Sequence, residues 1–133
     1  TGIVANHVLE HLDCQEAVRV LKECRRVLQQ GSVVRIGVPD PEVFLANFPQ
    51  DTMENCQRLF GEPLDPNGSA RTFMDGALFF REHRQVISEA ALRCHFLSAG
   101  FRIMERSSFG QSLTHGLASL DNREKFTLFM EAR

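Results

Sequence analysis

The chain has 133 residues, 43% of them apolar and 24% charged, with a formal net charge of −2. That profile fits one ordinary globular domain and excludes a disordered or fibrous chain. Charges of mixed sign leave no basic footprint for nucleic acid or an anionic membrane, and no apolar run approaches the roughly 18 residues of a membrane span.

Cys14, Cys24, Cys56 and Cys94 are scattered without a C-x-x-C pair, which points to reduced thiols and a cytoplasmic setting. The sequence lacks an initiator Met and enters Ile3-Val4-Ala5 at once, as a cut from a longer polypeptide would. Gly2 to Asn6 reads as a short buried strand. Asp13 is an N-cap candidate, and Glu16 completes a capping-box pattern. Ala17, Val20, Leu21, Cys24, Val27 and Leu28 follow at helical spacing, with Gly31 as the stop. Val33, Val34, Ile36 and Val38 form a β-branched run ended by Pro39, the pattern of a strand covered on both faces. Strand, helix and strand with short joints predict a right-handed βαβ unit.

Beyond it, Pro41 opens a short helix through Phe48, and Thr52 to Phe60 predicts another. Pro63 to Ser69 is a loop by its Pro, Asn-Gly and Asp content. Ala70 to Arg81 is apolar enough to cover something, so residues 41–85 read as an insertion or lid within a single domain. Ser88 caps a helix carrying Ala91, Leu92, Phe96 and Leu97, which Gly100 stops. Phe101 to Ser107 reads as a strand, Ser112 to Leu120 as a short helix, and Lys125 to Ala132 as a final alternating strand.

Leu9-Glu10-His11-Leu12, Glu23, Arg26-Val27-Leu28, Val38-Pro39-Asp40 and Ala99-Gly100-Phe101 stand in an order that resembles the second half of a class I S-adenosylmethionine-dependent methyltransferase of the type 11 group. The likeness runs over nearly the whole chain, and its weight lies in the order of motifs that are weak singly. It implies an α/β, partial Rossmann-like methyltransferase fold. The expected sheet order is first, second, fourth, third, with the last strand antiparallel and helices on both faces. It also implies S-adenosylmethionine as cofactor, bordered by Ala5, Asn6 and His7, and a methyl acceptor that the sequence does not identify. Two departures stand out. Gln29-Gln30-Gly31-Ser32 replaces the family's K-P-G-G but keeps the helix-stopping Gly. The family's first three strands, with the glycine-rich loop and the acidic ribose-binding residue, have no counterpart in these residues; neither Gly37 nor Gly110 follows a strand and opens a helix.

The polar residues each carry two readings. Asn6 and His7, at a strand's carboxyl end, can face the cofactor's reactive methyl, or can cap the turn and meet solvent. His7 and His11 are the catalytic candidates, as groups that orient a nucleophile. Asp40 and His83 are candidates for substrate contact, although Asp40 can equally cap the helix at Pro41. On a helical turn His7, Glu10 and His11 share one face, so two imidazoles and a carboxylate can converge on a divalent ion, with His83 as fourth ligand. The softer His7 favours zinc, manganese or iron(II) over magnesium. Against this, Glu10 and His11 can simply hold the strand-to-helix turn through hydrogen bonds. Arg35 inside a buried strand needs an anion, with Glu10 or Asp40 as the expected partner. His95 and His115 read as surface or satisfied core residues. A contrasting expectation is a cofactor-free interaction domain that forms a homodimer through the exposed edge of the first strand.

Overall fold

The structure is a computed structural model, and residues 1–47 and 82–133 are described. The helix expected over Thr52 to Phe60, the Pro63 to Ser69 loop and the Ala70 to Arg81 cover lie outside the described residues. A four-stranded sheet in the order β1-β2-β4-β3 organises the rest. β1 (Gly2–Asn6) runs parallel to β2 (Val33–Pro39), while β4 (Thr127–Ala132) is antiparallel to both β2 and β3 (Met104–Ser107). The expected α/β class, strand order and antiparallel last strand are all present. Among the described residues no helix is long and apolar enough to cross a membrane.

Helix α1 (Cys14–Val27) starts where the local chemistry says it should. The Glu16 N–H donates to Asp13 Oδ1 at 2.8 Å and the Asp13 N–H to Glu16 Oε2 at 2.9 Å, satisfying two of the donors a helix start leaves open. Ala17 and Leu21 are fully buried, with Cys24 and Leu28 packed against the same core, whereas Val20 and Val27 are 38% and 57% exposed. Helix α2 (Pro41–Asn47) follows β2 directly. Helix α3 (Glu89–Ala99) is capped by the Ser88 hydroxyl, which accepts from the Ala91 N–H. Gly100 ends it at φ 96°, a left-handed conformation that glycine adopts without Cβ strain.

Alternation along the strands assigns the two faces. Val34, Ile36, Val38, Leu128, Met130 and Ala132 join Leu21, Leu92 and Phe96 in one core, so α1 and α3 share a face. Helices on both faces were the expectation, but among the described residues the opposite face is covered by the connection 108–126. That connection carries only the short 3-10 turn Ala118–Leu120 instead of a helix from Ser112. Gly116 sits at φ 84°, and local polar bonds hold the backbone away from helix, among them Leu113 N–H to Glu131 Oε2 and Gly110 N–H to Asp121 Oδ2.

Arg35 explains why this connection stays in place. One residue out of phase with Val34 and Ile36, it points to the connection's side of the sheet. Its guanidinium donates to both Asp121 oxygens (2.8 and 2.6 Å), Glu131 Oε1 (2.9 Å), Ser107 Oγ (2.8 Å) and Ser108 O (2.8 Å), and it lies 4.6 Å from the Phe129 ring centroid. Neither Glu10 nor Asp40 is a partner. The expectation failed because the strand's alternation turns Arg35 to one face, and the register sets Glu131 directly across from it. Burial opposes charge on Asp121, but the Arg35 and Gly110 hydrogen bonds outweigh it and hold the carboxyl below its usual range.

Candidate functional site

The polar groups gather where the parallel pair ends. Ala5 is paired with Ile36 and packs on the core, so only its backbone can border a ligand. Asn6 Nδ2 donates to Leu120 O at 3.1 Å, while its Oδ1 is buried without a hydrogen bond. Gly37 makes room for it. A Cβ built there would stand 2.8 Å from Asn6 Oδ1 and 3.0 Å from the Phe129 ring.

His7 adopts φ 54° and Phe126, just before β4, φ 59°, left-handed conformations that disfavour non-glycine residues and concentrate at functional sites. The His7 N–H donates to Gly37 O at 2.8 Å, and the Asp40 N–H to Phe126 O at 2.8 Å. These bonds hold the two turns against the carboxyl end of β2. On the side chain, His7 Nε2 makes a 2.9 Å hydrogen bond with Thr127 Oγ1, leaving Nδ1 3.1 Å from Glu10 Oε1.

Leu9–His11 forms a 3-10 turn that anchors Leu9 in the core and buries Glu10 to 1% exposure. Both Glu10 oxygens lack a hydrogen bond; the His7 contact has the distance of an ion pair without hydrogen-bond direction. His83 Nε2 lies 4.0 Å from Glu10 Oε1, and the His11 and His83 rings meet edge-on with centroids 4.8 Å apart. A buried carboxylate without donors costs several kcal/mol, so three surrounding imidazoles are a chemically loaded setting.

The turn itself is held by other atoms. Glu10 O accepts from the Arg84 N–H (2.7 Å) and the Gln85 N–H (3.3 Å). Gln85 Nε2 donates to Leu9 O and Leu12 O, each at 3.0 Å, and its Oε1 lies 3.3 Å from Nε2 of His95, whose Nδ1 meets Ala91 O at 2.6 Å. His95 is therefore a satisfied core residue, 6% exposed. Sequence reasoning missed Gln85 and Thr127, whose partners are distant in the chain and carry no local signature.

The structure thus brings His7, Glu10, His11 and His83 together. Asp40 is engaged elsewhere: its Oδ1 accepts from the Glu42 N–H (3.0 Å) and its Oδ2 from Arg106 Nη2 (3.1 Å). Of the two readings of Asp40, helix capping with an added ion pair is the one its contacts match. No protein-family model, curated protein or solved structure matches the chain.

Proposed function

We propose that these residues form the carboxyl-terminal half of an S-adenosylmethionine-dependent methyltransferase and supply one wall of its cofactor crevice. The observation that carries the reading is the sheet. A parallel β1–α1–β2 unit is extended by antiparallel β4, with β3 beyond it, and the polar residues collect at the carboxyl ends of the parallel pair, where open α/β sheets bind ligands. In this reading the backbone of Ala5, Asn6 and His7 borders the cofactor, and His11 and His83 face the methyl acceptor. Methyl transfer is an in-line displacement, so positioning and exclusion of water do most of the catalysis. The free thiols of Cys14, Cys24 and Cys94 suit a cytoplasmic setting.

The glycine-rich half of the crevice is not among these residues, so the 133-residue chain alone should bind the cofactor weakly. Titrating S-adenosylmethionine into isotope-labelled protein should, at millimolar cofactor, shift the amide signals of residues 5–7 and Gly37. Shifts confined to other regions, or none at all, would sink the reading.

A second reading has its own observation. Among the described residues β1 pairs only with β2, and Ile3, Val20, Cys24 and Val27 line an apolar groove beside its outer edge. An unpaired edge next to an apolar helix face is a template for association. In this reading the domain is an interaction module that pairs with a second copy. A molecular mass of twice the chain in solution would favour it, and a strict monomer over all concentrations would dismiss it.

A further inference from the structure

We propose that Glu10, His11 and His83 bind one divalent transition-metal ion, with His7 outside the ligand set as the residue that positions Glu10. The site shares His11 and His83 with the methyltransferase reading but uses no cofactor-bordering side chain as a ligand, and metal binding is read without cofactor or methyl acceptor.

Two independent observations support it. One is convergence: Glu10, His11 and His83 each offer a ligand atom, and these atoms all lie within 4.8 Å of one another. An ion bound at about 2.0–2.2 Å to each would bring them to roughly 3–3.5 Å apart. Closure therefore needs side-chain movements of about 1–1.5 Å, and His11 and His83 are only half-buried. The other is the state of Glu10, whose carboxylate is buried among the rings with neither oxygen hydrogen-bonded. A carboxylate kept only to shape the turn would accept from its backbone. Here the Glu10 carbonyl and the Gln85 side chain do that work, and the carboxylate faces the imidazoles of His7 and His83 instead.

The donor set selects the ion. Two imidazoles and one carboxylate suit zinc, iron(II), cobalt or manganese, whereas magnesium and calcium require mostly oxygen donors. Three protein ligands leave at least one coordination position open, as in sites that take up water or a further ligand.

His7 differs from the other two histidines. Its Nε2 is tied to Thr127 Oγ1 and its Nδ1 faces Glu10 Oε1. Both nitrogens are engaged, and His7 steadies the carboxylate much as outer partners steady metal ligands. The expectation of four ligands including His7 is thereby reduced to three.

The test is calorimetric titration of zinc into the chelator-treated 133-residue protein, with magnesium as a parallel arm. One zinc per chain at micromolar or tighter affinity is expected, with magnesium at least about 100-fold weaker. Glu10→Gln and His83→Ala should each abolish the zinc heat. His7→Ala should retain the stoichiometry and lose about 10–100-fold in affinity. Should either ligand variant lose its circular dichroism spectrum, His11→Ala replaces it. Absence of zinc binding, binding unchanged in the folded ligand variants, or magnesium binding as tight as zinc would each overturn the proposal.

Discussion

Arg35, in the middle of β2, donates five hydrogen bonds to partners from β3, β4 and the connection between them. Glu10, in the turn after β1, is buried to the same degree and its carboxylate has none. The difference separates two uses of a buried charge. A saturated centre holds structure together, because every polar atom that lost water has regained a partner. An unsaturated one is sustained by the rest of the fold and is free to meet something that the chain itself does not supply.

The largest effect should come from breaking the saturated centre. Arg35→Met keeps the length of the side chain but strands Asp121 and Glu131 without their cation. Removing one partner of a buried pair typically costs about 3–5 kcal/mol, and urea unfolding should read a loss of that size. The connection 108–126 should also become more protease-sensitive, since Arg35 supplies three of the hydrogen bonds that join it to the sheet, beside those from Asn6 to Leu120 O and from Leu113 to Glu131. A loss below about 1 kcal/mol would mean that the network is ornamental.

What could be read from the sequence divides along the same line. The α1 cap was legible because Asp13 and Glu16 act within one turn, and Gly100 because a helix stop is a local conformational demand. The β2 strand was legible from its β-branched run. Arg35 announced that it needed an anion, but its partners lie 86 and 96 residues onward, and local pattern cannot choose among carboxylates at that range. The helix expected from Ser112 failed for a related reason: side-chain bonds from the sheet, together with Gly116, overrode local propensity. At the candidate site, the spacing of His7, Glu10 and His11 pointed to the cluster. The tie from His7 to Thr127 spans 120 residues, and it is what sets His7 outside the ligand set we propose.

The unsaturated centre should respond with the opposite sign. In metal-free protein, Glu10→Met replaces an undonated carboxylate by an apolar side chain of similar length. Such replacements are neutral to stabilising, and a gain of about 1 kcal/mol is expected. With zinc present the order should invert, because only the wild-type chain gains stability from binding. A comparable destabilisation of the metal-free variant would show that Glu10 does structural work like Arg35, and the contrast between the two centres would collapse.

Acid separates the contributors to the saturated centre most finely. The Asp121 carboxyl is held below its usual range, so near pH 4 the unfolded chain binds more protons than the folded one. Its contribution is complete above the unfolded value of about 3.9 and disappears as pH falls through the lower folded value. Glu89, held down mainly by its hydrogen bond from Arg93, and Asp13, held down by the Glu16 N–H, act in the same direction and persist in any Asp121 variant. Asp121→Asn should therefore leave an acid limb, but a shallower one, by at most about 1.4 kcal/mol per pH unit, the value of one proton. Urea unfolding from pH 6 to pH 2 would measure that slope. Identical slopes in variant and wild type would mean that Glu131 alone carries the Arg35 pairing, with Asp121 a passenger on the connection it was thought to fasten.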